Sequence, residues 1–131
     1  MTDDKSLDGD DTGFVPPDAT TGLCEDKVAR HLTVLRHCIN ACHITAADNA
    51  LKRRPFDEEA CERTDPVKSC VAKYSAVANR LAANTKPATG ICPACLDAAH
   101  QASLAAQMEA ALDDAGGAIY CAGTVPLDPT P

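Results

Sequence analysis

The sequence has no tryptophan and few bulky apolar side chains. Its aromatic residues are two tyrosines and two phenylalanines among 131 residues, and Leu, Ile, Val and Phe together make up under a fifth of the chain. This composition borders on that of disordered chains, so it excludes a large conventional hydrophobic core. No stretch approaches the ~18 consecutive apolar residues that a membrane-spanning helix requires, so we expect no membrane partner.

Positive charge is also scarce. The net charge is −7, and the first 23 residues carry six aspartates against one lysine, while the chain between Cys24 and Cys121 is close to neutral. A chain without a basic surface lacks the electrostatic signature of nucleic-acid binding, so we expect no nucleic-acid partner. The one basic run, Lys52-Arg53-Arg54, falls at the predicted end of a helix, where cations complement the helix dipole.

Cysteine and alanine are what the chain has in quantity. There are eight cysteines and 24 alanines. Small domains with thin cores usually depend on disulfides or a metal ion, and all eight cysteines lie between Cys24 and Cys121. We therefore predict a Cys-rich helical domain over 23–122, preceded by a disordered acidic arm over 1–22 and followed by a Pro-rich tail over 123–131.

Apolar spacing predicts an all-α fold. In the first segment the apolar positions form one helical stripe, which consists of Val28, Leu32, Leu35, Ile39, Cys42 and Ala46. The predicted helices cover about 25–52, a short turn near 57–63, about 65–84 and about 92–114. Short connections between long helices favour antiparallel neighbours. We predict a small three-helix up-down bundle, or four helices counting the short one, stapled by cysteines.

Local signals place the helix ends. Asp65-Pro66 is typical of an N-cap followed by proline at the first helical position, so it predicts the start of the second helix. The Cys92–Cys95 segment is predicted to open the third helix, and Gly116-Gly117 to stop it.

Helix geometry predicts which cysteines meet. At a rise of ~1.5 Å per residue, Cys38, Cys42 and Cys70 fall at a similar height on antiparallel helices, with Cys61 in the connection above them. Two hypotheses stay open for this upper group: a tetrahedral zinc site, or nested disulfides Cys38–Cys70 and Cys42–Cys61.

The N-terminus favours the metal. The segment from Met1 to Ser6 has no apolar stretch behind a basic start, which predicts no secretory signal and a cytosolic protein. Thiols stay reduced in the cytosol, where clustered cysteines more often bind metal. Paired cysteines would instead indicate an extracellular or virion location.

A lower group forms around Ile91-Cys92-Pro93-Ala94-Cys95. The two-residue spacer resembles the knuckle half of zinc ribbons, which implies that Cys92 and Cys95 share one zinc ion. Cys24 is the predicted third ligand, and the fourth is left open. Candidates for it are His31, His100 and Cys121.

Two further resemblances concern redox and haem chemistry. Cys92-Pro93-Ala94-Cys95 also resembles the CPxC motif of the glutaredoxin family, which implies thiol–disulfide catalysis, although no strand precedes it. The segment from Cys38 to His43 resembles a haem-attachment motif with one extra spacer residue. On a helix, however, His43 points about 100° away from Cys42, as in an ordinary amphipathic segment.

The favoured hypothesis is a non-catalytic, zinc-binding helical protein that acts as an adaptor, regulator or accessory subunit. Its predicted ligands are Cys24, Cys38, Cys42, Cys61, Cys70, Cys92 and Cys95. The alternatives are a disulfide-stapled structural or interaction protein and a thiol–disulfide oxidoreductase. An unidentified protein partner and self-association are also expected, because a dimer interface would bury surface that a thin core leaves exposed.

Overall fold

Three α-helices dominate the computed structural model, which describes residues 12–127. They are α1 (Ala19–Leu51), α2 (Cys70–Ala82) and α3 (Ala98–Ile119); a π-helical turn spans Ala60–Thr64, and 3₁₀ turns span Pro87–Thr89 and Ala94–Leu96. The described residues contain no β-strand. The predicted all-α bundle with a short extra helix is confirmed. The rest of the predicted tails, residues 1–11 and 128–131, lies outside the described residues.

Helix α1 begins about six residues before its predicted start. The Asp18 side chain accepts a hydrogen bond from the Thr21 backbone N–H at 2.7 Å, so it caps the helix. The apolar stripe gave no sign of this early start because it begins further along, at Val28. The helix ends at Leu51, so the basic run follows its last residue as predicted.

The predicted start of α2 at Asp65-Pro66 is wrong. Asp65 accepts hydrogen bonds from the backbone N–H groups of Val67 and Lys68, and these close a separate turn. The helix starts only after Ser69, whose hydroxyl accepts from the Ala72 N–H. Two capping residues stand four positions apart, and the second one begins the helix.

The predicted bounds of α3 are also wrong at both ends. Cys92 and Cys95 lie in an irregular segment and a 3₁₀ turn, and the helix is capped later by Asp97, which accepts from the His100 N–H at 2.9 Å. Gly116 and Gly117 do not stop the helix, which continues to Ile119.

The helices run up, down and up. Leu81 near the end of α2 packs with Cys24 and Val28 near the start of α1, while Cys70 at the start of α2 packs with Cys42. The core side chains lie between all three helices: Leu35, Ile39, Cys42, Cys70, Tyr74, Ala78 and Ala105. None of the helices within residues 12–127 combines the length and apolarity that crossing a bilayer takes.

Candidate functional site

Six cysteines form three disulfides, and all three involve α1. Cys24 is joined to Cys92, Cys38 to Cys70, and Cys42 to Cys61. The bridges connect α1 to the segment before α3, to α2 and to the π-helical turn. The two upper pairings are those of the disulfide hypothesis, and the cysteines group at two heights as the helix geometry predicted.

Six of the seven predicted zinc ligands are therefore in disulfides. The metal ligand in a cysteine site is the thiolate, and a sulfur in a disulfide is not one. Zinc at these positions stays a prediction that these bridges do not support. Three disulfides fit an oxidising, extracellular setting better than the cytosol.

The remaining predicted ligand, Cys95, is a free and exposed thiol, as is Cys121. Cys92 is bonded to Cys24 rather than to Cys95, and it does not lie at the N-terminus of a helix. The arrangement that would activate Cys92 as a glutaredoxin-like nucleophile is therefore absent from the described residues.

The histidines that sequence analysis offered as a fourth ligand are elsewhere. His100 Nδ1 lies 2.7 Å from its own helix cap, Asp97, and is exposed. The Nδ1 of His31 is buried without a hydrogen-bond partner, and burial, followed by the charges of Lys27 and Arg80, lowers the His31 pKa. Neither histidine lies in a group of potential metal ligands within residues 12–127.

A different group of ionisable side chains converges at the upper end of the bundle. It consists of His43, Glu58, Glu62, Glu109 and Asp113, called here the His43 cluster. His43 comes from α1, Glu58 and Glu62 come from the connection and its π-helical turn, and Glu109 and Asp113 come from α3. Three chain segments therefore contribute to the cluster.

The centre of the cluster is the Nε2 atom of His43. Asp113 Oδ1 lies 3.0 Å from it, Glu62 Oε2 3.2 Å and Glu58 Oε2 3.6 Å. The Glu62 side chain is 2% exposed and that of His43 is 10% exposed, whereas Asp113 is 56% exposed. The cluster thus extends from a buried carboxyl group to one at the surface.

A disulfide fixes two members of the cluster. His43 directly follows Cys42, Glu62 directly follows Cys61, and Cys42 and Cys61 are joined. The backbones that present the imidazole and the buried carboxyl group are therefore covalently linked next to the site. π-Helical turns, such as the one that carries Glu62, recur at functional sites in proteins.

The carboxyl groups perturb one another. Burial, a hydrogen bond with Glu58 and the charge of Asp113 raise the pKa of Glu62 to about 9. Burial also raises the pKa of Glu109, against the opposing effect of Arg63. With no ligand bound, Glu62 is protonated at neutral pH, because deprotonation would place another negative charge among neighbouring carboxylates.

The cluster forms one wall of a cavity of about 520 Å³. His43, Glu58, Glu62 and Asp113 face it from one side. The segment after α3 contributes the other wall, through Tyr120, Val125, Pro126 and Leu127. The cavity therefore combines an acidic wall with a largely apolar one.

Sequence analysis missed the His43 cluster. The available signal was a pair of acidic residues at helical i, i+4 spacing, present twice: Glu58 with Glu62, and Glu109 with Asp113. Such pairs are usually solvated faces, and nothing in the sequence shows that both face one histidine. On α1, His43 points away from the cysteine stripe, towards the side that α3 covers.

The chain matches no protein-family model, no curated protein and no solved structure. The cluster must therefore be interpreted from its own geometry.

Proposed function

We propose that the protein is a non-catalytic binding protein of an oxidising compartment, which holds a cationic ligand in the acidic cavity beside His43. The observation that carries the proposal is the convergence of Glu58, Glu62 and Asp113 on one imidazole nitrogen, at the wall of a cavity.

Charge selects the class of ligand. Apart from His43 itself, the basic side chain within residues 12–127 that pairs with a carboxylate of the cluster is Arg63, at 3.9 Å from Glu109, and its closer partner is Glu59 outside the cluster. An anion in the cavity would add to the repulsion between the carboxylates, whereas a cation would relieve it. A cationic ligand is therefore the favoured occupant.

The disulfides support a preformed site. Three bridges hold α1 to the other elements, and one of them lies beside both His43 and Glu62. A site that is ordered before binding loses less conformational entropy when its ligand arrives. Of the hypotheses drawn from the sequence, these bridges favour a disulfide-stapled interaction protein. A protein partner and self-association stay predictions.

The test uses the full, oxidised chain after removal of metal ions with EDTA. Thermal unfolding and calorimetry would be measured with zinc ion, spermidine and inorganic phosphate as three separate probes. We expect saturable binding and a raised Tm with at least one of the two cations and neither effect with phosphate.

Two neighbouring aspartates give a matched pair of variants. Asp113→Asn removes a carboxylate of the cluster, whereas Asp114→Asn removes an exposed one outside it. The first substitution should weaken cation binding and the second should not. The proposal is wrong if neither cation binds, or if both variants bind the cation as the parent chain does.

A further inference from the structure

We infer that the cation is a divalent transition-metal ion, bound by His43 Nε2 together with carboxylate oxygens of Glu58 and Glu62, with Asp113 as a supporting carboxylate beside the imidazole. This inference rests on the proposed function, because it names the ligand of the same cavity. It goes beyond that function in assigning three ligand residues and in separating a metal ion from an organic cation.

The spacing of the ligand atoms of His43, Glu58 and Glu62 is close to that of a metal centre. Zinc lies about 2.0–2.2 Å from nitrogen and oxygen ligands, so the ligands of a tetrahedral centre are about 3.3–3.6 Å apart. From His43 Nε2 the three carboxylate oxygens lie at 3.0, 3.2 and 3.6 Å. The ligand atoms of His43, Glu58 and Glu62 all lie within 4.8 Å of one another, so a modest approach would place them at three corners of a tetrahedral shell whose fourth corner stays open.

Hydrogen bonding within the cluster uses at most one proton on His43 Nε2 and one on the protonated Glu62, which is hydrogen-bonded with Glu58. The Nε2 atom of an imidazole carries at most one hydrogen, so it can donate one good hydrogen bond. Three carboxylate oxygens nevertheless surround it within 3.6 Å. A metal ion placed between Nε2 and the oxygens of Glu58 and Glu62 would take the place of these protons and contact all three atoms at once.

Gly116 lets the imidazole sit where the cluster needs it. A Cβ atom at this position would lie 3.2 Å from His43 Nδ1, so the ring lies close against the backbone of α3. Glycine inside a helix is unfavourable relative to alanine. Its presence within α3 is explained by this close approach, which leaves Nε2 directed at the carboxylates.

The chemistry of the ligand atoms selects the kind of ion. Calcium and magnesium prefer shells made of oxygen atoms, whereas an imidazole suits zinc and the neighbouring transition metals. One nitrogen with two carboxylate oxygens therefore favours zinc, cobalt or manganese over calcium and magnesium. Zinc was also the cofactor expected from the sequence, but at the cysteines rather than here.

The experiment measures zinc affinity by competition with a chromophoric chelator, on the oxidised full chain. Cys95→Ser and Cys121→Ser form the background, because free thiols could bind zinc themselves. We expect one zinc ion per chain and a much weaker response to calcium and magnesium. Cobalt(II) should give the intense visible bands of a low-coordinate centre that has a nitrogen ligand.

Matched substitutions locate the ion. Asp113→Asn should reduce zinc affinity on the order of 10–100-fold, the range typical of losing a group that supports a metal ligand, and Asp114→Asn should not. His43→Gln should also lower zinc affinity and should alter the cobalt spectrum. His37 is an exposed residue of the same helix, so His37→Gln should leave the zinc affinity and the spectrum unchanged. The Asp113 pair keeps the test valid if His43→Gln fails to fold.

The outcomes separate this inference from the proposed function. If spermidine binds in an Asp113-dependent way and no metal ion does, the inference is wrong and the proposed function stands. If zinc binds equally well to the parent chain and to the His43 and Asp113 variants, the inference is also wrong. If no cation binds, both fail.

Discussion

Removing the Cys42–Cys61 disulfide should lower both stability and cation affinity, whereas removing Cys24–Cys92 should lower stability alone. The two double variants are Cys42→Ala with Cys61→Ala and Cys24→Ala with Cys92→Ala, each on a background without free thiols. Cys42–Cys61 adjoins His43 and Glu62, while Cys24–Cys92 lies at the opposite end of the bundle.

Loop lengths give the magnitudes. The bridged cysteines are 19 residues apart in Cys42–Cys61 and 68 apart in Cys24–Cys92. Loop-closure entropy in the unfolded chain then corresponds to about 3 kcal/mol for the first bridge and about 4 kcal/mol for the second at 25 °C. The bridge that lies far from the cluster should thus cost more stability when it is removed.

The loss of cation affinity should instead be larger in the variant without Cys42–Cys61 than in the variant without Cys24–Cys92. Without Cys42–Cys61, the segments that carry His43 and Glu62 are no longer covalently joined beside the site, so part of the binding free energy is spent on ordering them. Loss of Cys24–Cys92 leaves that local link in place. We expect weaker zinc binding in the first variant and near-parental binding in the second.

Urea denaturation followed by far-ultraviolet circular dichroism, in EDTA, measures the free energy of unfolding. Chelator competition under folding conditions measures zinc affinity. Equal affinities in the two variants would refute the reasoning about the local disulfide. A smaller stability loss at Cys24–Cys92 than at Cys42–Cys61 would refute the argument from loop length.

Three other predictions concern the bonding state, the cluster and the core. The intact mass of the denatured, unreduced chain should be lower by six hydrogens than that of the reduced chain, with two thiols open to alkylation; eight free thiols would contradict the disulfides. In EDTA, the free energy of unfolding should fall as the pH rises from about 5 towards 9, because the folded chain holds a proton on Glu62 up to a pKa of about 9, whereas the unfolded chain releases it at a lower pH. Glu62→Gln should flatten this pH dependence in urea titrations, and an unchanged slope would contradict the prediction. Leu35→Ala, at a side chain that is 1% exposed, should lower the free energy of unfolding by about 2–5 kcal/mol, against less than about 0.5 kcal/mol for the exposed Val34→Ala; similar losses would contradict the assigned core.

The sequence predicted the parts of the fold that depend on local periodicity. Val28, Leu35 and Ile39 recur at helical spacing because one face of α1 is buried along its length, and this stripe also put the upper cysteines at one height. The starts of α2 and α3 were missed because Asp65 and Cys92-Pro93 carry genuine helix-start signals, while competing caps at Ser69 and Asp97 lie further along the chain.

The His43 cluster was beyond prediction for a different reason. Glu62 and Asp113 are 51 positions apart, and each belongs to an acidic i, i+4 pair that is ordinary on a solvent-exposed helix. Only the packing of α3 against α1 brings Asp113 to His43, and the Cys42–Cys61 bridge lies directly beside His43 and Glu62. A single sequence encodes neither fact in its local pattern.

The attachment of every disulfide to α1 has a consequence for proteolysis. A cut in the exposed Lys52-Arg53-Arg54 segment would leave two fragments joined by all three bridges, and a cut after Lys86 would leave them joined by Cys24–Cys92. Nicked molecules would therefore migrate as one species until a reductant separates them. A trypsin-like enzyme could cleave the first connection, after Lys52 or Arg53, without releasing any helix from the molecule, whereas Pro87 protects the bond after Lys86.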